Sequence, residues 1–121
     1  MSEKLTLVFG ASENPDRYSN RAILKLRQYG HPVVAIGLRE GIVADVKIQK
    51  DKPDLKNVDT VTLYLSAKNQ LPYYDYIVSL KPKRIIYNPG AENSELEELA
   101  EKNGIENLEA CTLVLLATGQ F

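Results

Sequence analysis

The hydrophobic residues of the chain fall into short runs that are typical of β-strands. Four runs, at residues 5–9, 32–36, 58–65 and 84–87, combine β-branched and large apolar side chains, and each stops at a glycine, serine or asparagine. A weaker run at residues 108–111 is a candidate fifth strand, and residues 113–116 fit either its continuation or a last helical turn. Residues 38–57 are the least clear, since Ile42, Val43 and Val46 fit either a short strand or an irregular connection.

Between these runs, apolar residues recur with the spacing of a helix. Ile23, Leu26 and Tyr29 fall three residues apart and predict a helix over residues 19–29. Residues 94–103 carry apolar positions at i, i+3 and i+4 together with an acidic first turn, which predicts a second helix. A third is predicted over residues 67–80, with Pro72 in its first turn or at a kink.

This alternation indicates βαβ units and therefore an α/β fold. Right-handed crossovers leave a doubly wound parallel sheet of about five strands, with helices on both faces, as the favoured architecture. A length of 121 residues and a hydrophobic share of 44% suit a single domain over residues 1–121.

Charge and cysteine content narrow the functional classes. The chain has 15 lysines and arginines and 16 aspartates and glutamates, so its net charge is −1, and the charges are mixed along the sequence. This argues against nucleic acid or a membrane surface as the partner. The apolar run up to Gly10 is too short to span a bilayer and does not resemble a signal peptide. With one cysteine and no secretion signal, we expect a cytoplasmic protein.

Ligands of open parallel sheets bind beyond the carboxyl ends of the strands, which directs attention to the loop at residues 10–20. Gly10 permits a tight turn, and Ser12 and Ser19 offer short hydroxyl groups. The amides that open the following helix favour an anion, and Arg17 adds positive charge where a phosphate would lie. The alternative is an ordinary connection in which Ser19 caps the helix.

The end of the second strand bears on the identity of a nucleotide. Arg39 suits a phosphate on the ribose, whereas the neighbouring Glu40 keeps NAD open, and Arg39 could equally be a solvated surface residue. Catalytic and metal sites are not predicted. His31 is predicted to lie in a turn on the far side of the sheet from the site. No set of His, Cys, Asp or Glu residues has metal-binding spacing, and Cys111 is expected to be a small core residue.

Residues 8–15, Val-Phe-Gly-Ala-Ser-Glu-Asn-Pro, followed by Arg17, Tyr18 and Ser19, resemble the opening of the small single-domain CoA-binding proteins. These are similar to the N-terminal CoA-binding domain of the succinyl-CoA synthetase α subunit. The resemblance continues through residues 58–61 and 87–93 and through Glu109-Ala110-Cys111. The chain departs from the family pattern at residues 35–38, at Asn88 and at Ala110.

The resemblance implies a Rossmann-like fold that holds the nucleotide part of CoA across the strand tips. By position, it implies three groups of cofactor-binding residues: a phosphate loop of Gly10, Ala11, Ser12, Asn14, Arg17 and Ser19; adenosine contacts from Ile36, Gly37 and Arg39; and cleft residues Tyr64, Leu65 and Asn88.

Three functions follow as hypotheses. The first is a stand-alone module that binds CoA or an acyl-CoA without catalysis, which the sequence favours over an enzyme. The second is an oxidoreductase-like protein that uses NAD or NADP. The third is a protein-interaction module whose nucleotide pocket is vestigial and binds no cofactor. The apolar residues 113–116 with Phe121 are consistent with a homodimer or with core packing.

Overall fold

In the computed structural model, which describes residues 3–121, seven strands form one sheet. They are β1 (Thr6–Phe9), β2 (Val33–Ile36), β3 (Gly41–Val43), β4 (Val46–Gln49), β5 (Thr60–Leu63), β6 (Arg84–Tyr87) and β7 (Glu106–Glu109). Their spatial order is β3-β4-β2-β1-β5-β6-β7, and every neighbouring pair is parallel except β3 and β4. The chain leaves β1 toward β2 on one side and later returns to β5 on the other, so the strand order reverses between β1 and β5.

Helices cover both faces of the sheet. They are α1 (Tyr18–Gln28), α2 (Ala67–Gln70), α3 (Tyr74–Leu80), α4 (Ser94–Lys102) and α5 (Thr112–Ala117). Side chains alternate along β1, so Val8 packs with the helices α1 and α5 while Leu7 and Phe9 pack with α3 and α4. Because both faces of β1 are covered, all four of its residues are buried, as its continuous apolar run predicts.

The expected sheet of about five strands is wrong in its count. The first four predicted strands contain β1, β2, β5 and β6, and the predicted fifth, residues 108–111, overlaps β7 only at residues 108 and 109. The two additional strands form a hairpin within residues 38–57. Its turn places Ala44 at a φ of +55°, where glycine or asparagine would have been the recognisable signal. Bidentate contacts of 2.9 Å between the Arg27 guanidinium and the Asp45 carboxylate then tie the turn to α1.

The predicted helix at residues 67–80 is interrupted. A single 3₁₀ turn, Leu71–Tyr73, separates α2 from α3, so Pro72 marks a kink and not a first turn. At the other end of the chain, residues 113–116 belong to α5, which leaves the helical alternative as the one observed. Within the part of the chain that the structure describes, no helix combines the length and apolarity needed to cross a membrane.

His31 is held just before β2 by its neighbours. Its Nδ1 accepts a hydrogen bond from the Lys4 amide at 3.1 Å, and its ring lies 5.0 Å from that of Phe121. Burial, followed by the nearby charges of Lys4 and Arg84, lowers the pKa of His31 below its ordinary value.

We therefore expect the contribution of His31 to stability to be lost in mild acid. Since the pKa of His31 is lower in the folded state than in the unfolded chain, the unfolded chain binds the proton more tightly. The contribution to the free energy of unfolding is complete above the ordinary pKa of about 6.5 and is lost as the pH falls below it. Urea denaturation between about pH 7.5 and pH 5 should show a shallower decline for His31→Gln than for the wild type. An equal decline in the two proteins would contradict this.

Candidate functional site

A cleft of about 290 Å³ opens at the carboxyl ends of β1, β2 and β5, where the strand order reverses. It is bordered by ten residues: Phe9, Gly10, Ile36, Gly37, Leu38, Leu65, Lys68, Asn69, Pro72 and Tyr73. Most are apolar, and Lys68 is the one charged residue among the ten. A larger depression of about 490 Å³ follows the β3–β4 edge, but it does not reach the ends of the central strands.

Two glycines let the first loop approach the ends of β2 and β5. A Cβ on Gly37 would overlap the carbonyl oxygen of Ala11 and lie 2.9 Å from Cγ2 of Ile48. Gly10 has a φ of +84°, and a Cβ there would lie 3.2 Å from the backbone of Tyr64. The amides of Gly10 and Ala11 both donate to the carbonyl of Ile36 at 3.0 Å, which fixes the start of the loop on β2.

The rest of the loop is held by its own polar side chains. Nδ2 of Asn20 donates to the Ser12 carbonyl at 3.0 Å and ties the loop to α1. The Ser12 hydroxyl accepts from the Asn14 amide, and the Asn14 carboxamide accepts from the Asp16 amide, each at 3.0 Å. As an acceptor in this turn, the Ser12 hydroxyl keeps its own proton available for a ligand.

Four backbone amides around this loop lack a protein acceptor. Within the part of the chain that the structure describes, the N–H groups of Ser12, Glu13, Tyr18 and Ser19 donate no hydrogen bond to protein. Arg17 is the N-cap residue of α1 and makes no side-chain cap, so the hypothesis that Ser19 caps the helix is wrong. These amides and the positive end of α1 form a place where an anion is stabilised.

The loop also carries two carboxylates, Glu13 and Asp16, and that of Glu13 contacts the hairpin. Oε2 of Glu13 accepts from the Ile42 amide of β3 at 2.8 Å, and the Glu13 side chain fills the space where a Cβ of Gly41 would lie. The contact engages the Glu13 carboxylate with the hairpin, while the second carboxylate of the loop, Asp16, is exposed to solvent.

The wall opposite the loop is built by α2 and the turn after it. Gln70 is completely buried, and its Nε2 donates to the carbonyls of Leu65 and Ala91 at 2.8 Å. Its Oε1 accepts from Nδ2 of Asn93 at 2.9 Å. The rings of Tyr73 and Phe9 pack with centroids 4.9 Å apart. This wall is therefore rigidly attached to the sheet.

Sequence reasoning missed most of this wall and part of the floor. The missed residues are Phe9, Leu38, Lys68, Asn69, Pro72 and Tyr73. Pro72 is the sequence feature that could have indicated this wall, because a proline that interrupts the helix places the residues before it over the strand ends. Of the twelve residues that the resemblance implied, Gly10, Ile36, Gly37 and Leu65 border the cleft directly.

Two of the implied cleft residues lie behind it. Tyr64 packs on the α1 and α5 face of the sheet, and its buried hydroxyl has no hydrogen-bond partner in the described residues. Burial raises the pKa of the Tyr64 phenol far above its usual range, so the group stays neutral. Asn88 is 1% exposed, and both ends of its carboxamide are engaged by protein groups.

Arg39 is exposed and does not border the cleft, although Leu38 beside it does. Apart from Arg39, Tyr64 and Asn88, the implied residues therefore form two groups: those that border the cleft and those of the first loop. Ser12, Asn14, Arg17 and Ser19 surround the amides at the start of α1, and Ala11 joins that loop to the cleft floor. The arrangement can hold an anion beside an apolar slot, which is the chemistry of a nucleotide with a phosphate tail.

Comparisons with other proteins agree with this interpretation. Residues 4–117 match the model of a protein family described as a CoA binding domain. The chain is 46% identical to an uncharacterized protein of known crystal structure, with a TM-score of 0.96 over 100% of both chains. No curated protein matches the chain.

More distant structures share the fold alone. A protein from Thermus thermophilus is 19% identical, with a TM-score of 0.84 over 98% of this chain and 91% of that one. An acetyl-coenzyme A synthetase from Ca. Korarchaeum cryptofilum, solved with phosphate and ADP, is 20% identical, with a TM-score of 0.72. That match covers 88% of this chain and 25% of the synthetase.

Proposed function

The chain belongs to the CoA-binding domain family, and from that premise we propose that it binds coenzyme A or an acyl-CoA through the nucleotide part of the molecule. The diphosphate would lie on the unpaired amides of the first loop, and the adenosine would enter the cleft beside Leu38, Leu65 and Tyr73. Of the site residues implied by the resemblance, those of the first loop would serve the diphosphate and Ile36, Gly37 and Leu65 the adenosine. Arg39, Tyr64 and Asn88 serve neither task.

One observation carries the proposal. Among the described residues, the amides of Ser12, Glu13, Tyr18 and Ser19, in the first loop and the first turn of α1, have no protein acceptor, and the Glu13 carboxylate is already bound to the hairpin. An anion that accepts these hydrogen bonds supplies the partners that the backbone lacks and gains from the dipole of α1. The diphosphate of CoA has the charge and the number of oxygens for this role.

We propose a binding role and assign no reaction. The ten residues that border the cleft include no carboxylate, histidine or cysteine that could act as a base or a nucleophile. The buried phenol of Tyr64 keeps its proton and lies on the other face of the sheet. These observations support a carrier or sensor of CoA.

Calorimetric titration with CoA tests the proposal. We expect saturable heat from one class of site, together with a rise in melting temperature as CoA is added, because a ligand that binds only the folded state stabilises it. The absence of both effects at millimolar CoA would overturn the proposed function.

Arg17→Ala is expected to weaken CoA binding by about 1–3 kcal/mol, the range for a hydrogen bond to a charged group. Arg17 is exposed and its side chain caps nothing, so the substitution should leave stability unchanged. Lys102→Ala is the matched control, because this exposed cation lies in the last turn of α4, which leads to the opposite edge of the sheet. Equal affinity of Arg17→Ala and the wild type for CoA would remove Arg17 from the site.

A further inference from the structure

Two lysines, Lys52 and Lys68, lie at the outer wall of the cleft, which is formed by Pro72 and Tyr73. Nζ of Lys52 donates to the Pro72 carbonyl at 3.2 Å and lies 5.4 Å from the centre of the Tyr73 ring. Lys68, on α2, borders the cleft together with the same two residues. Lys52 follows β4 in the chain, and β4 is parallel to β2, so both lysines lie at the edge of the sheet where the cleft opens.

These two charges are not neutralised by protein carboxylates. In residues 3–121 the ion pairs are Arg27 with Asp45 and Lys83 with Asp59, and neither involves the cleft. The contacts of Lys52 with Pro72 and Tyr73 also hold its ammonium group in place before a ligand arrives. An anion at the outer wall would therefore meet a charge that is already oriented, which lowers the entropic cost of binding.

A phosphate on the ribose is the group that this end of the cleft would receive. If the diphosphate lies on the first loop and the adenine enters the cleft, the ribose lies between them and its phosphate projects from the cleft mouth. A phosphate monoester carries about −1.5 to −2 charges near neutral pH, which suits two ammonium groups. Arg39, the residue that the resemblance implied for this role, is exposed and does not border the cleft.

We infer that Lys52 and Lys68 bind the phosphate monoester on the ribose of the ligand and thereby select nucleotides that carry a 3′-phosphate. The inference rests on the proposed function, because it assumes the same ligand in the same cleft. It adds a second anion contact, at the ribose of the nucleotide. It also assigns recognition of the ribose phosphate to lysines that lie against α2 and the turn after it, in place of Arg39, which follows β2.

Affinities for CoA and 3′-dephospho-CoA, measured by calorimetry, test this inference. The wild type should prefer CoA by about tenfold, as expected for charge-assisted contacts. Lys52→Met and Lys68→Met keep most of the aliphatic stem and remove the charge. Each should reduce that preference several-fold by weakening CoA binding, with dephospho-CoA affinity unchanged. Arg39→Met, the matched control, should keep the full preference.

The outcomes separate the two proposals. If the wild type binds neither compound, the proposed function fails and this inference fails with it. If it binds both equally, if the lysine variants keep the preference, or if Arg39→Met loses it, only the inference is overturned. NADP and NAD form a second pair. A preference within that pair that exceeds the preference for CoA over dephospho-CoA would assign the lysines to a 2′-phosphate and contradict the inference.

Discussion

Replacing Gly37 with alanine is expected to destabilise the fold by about 2–3 kcal/mol, the cost of forcing an extra carbon into a packed site. The new Cβ would overlap the Ala11 carbonyl, which is backbone and cannot rotate away, and would press on Cγ2 of Ile48 at 2.9 Å. The first loop must then move away from β2. CoA affinity should fall together with stability, because the same loop carries the unpaired amides.

Gly41→Ala is the matched control for this prediction. A Cβ there would overlap Cδ, Cγ and Oε1 of the Glu13 side chain as closely as a Cβ on Gly37 overlaps the Ala11 carbonyl, but these atoms are the end of a flexible side chain and not backbone. That carboxylate can rotate, so the loss of stability should stay below about 1.5 kcal/mol, the value of one hydrogen bond. Urea denaturation measures both variants through the midpoint at unchanged slope. Equal losses for the two alanines would show that the contact of Gly37 with the loop is not the constraint we describe.

Asn88→Ala should cost about 2–4 kcal/mol of stability, because it leaves buried polar groups without partners. Nδ2 of Asn88 donates to Oγ1 of Thr62 at 2.7 Å and to the Leu63 carbonyl at 2.9 Å. Its Oδ1 accepts from the Thr112 amide at 2.8 Å, which joins the end of β6 to the start of α5. All three contacts are lost together in a site that water does not reach.

Asn103→Ala provides the comparison, because it removes the same side chain from an exposed helix end. Nδ2 of Asn103 donates to the Leu99 carbonyl at 2.8 Å, and water can replace that bond. We expect a loss under about 1 kcal/mol there. If Asn88→Ala were as mild as Asn103→Ala but lowered CoA affinity, Asn88 would be a ligand residue and the structural role given to it here would be wrong.

Much of the fold could be predicted because the apolar pattern is set by the sheet. The central strands β1, β2, β5 and β6 are mostly buried, so each appears in the sequence as an apolar run between punctuating residues, whereas the edge strand β7, Glu-Asn-Leu-Glu, is largely exposed and gave the weakest signal. The hairpin β3–β4 lies at the edge of the sheet, with Ile42 and Lys47 exposed, and its turn contains no glycine. Such a strand is determined by pairing with its neighbour, which local composition does not reveal.

The candidate site could be predicted only where the backbone determines it. Gly10 and the start of α1 follow from the position of a loop after the first strand, and Gly37 follows from the end of the second. Arg39 and Asn88 were expected at the ligand by position alone. The structure turns Asn88 into a buried network and leaves Arg39 outside the cleft, since side-chain direction depends on tertiary packing.

Lys52 and Lys68 could not be identified from spacing. Lys52 is distant from the first loop in sequence and reaches the cleft only because β4 runs parallel to β2. Lys68 lay inside the helix predicted over residues 67–80, where an exposed lysine carries no signal. Cations of this kind become visible as a site when the topology has placed them at one cleft.

An amide-resolved NMR titration with CoA tests the central claim most directly. The N–H signals of Ser12, Glu13, Tyr18 and Ser19 should shift in a saturable way and farther than those of other residues, because a phosphate would accept their hydrogen bonds. Unchanged positions for these four signals at saturating CoA, or larger shifts along the β3–β4 edge, would contradict the account.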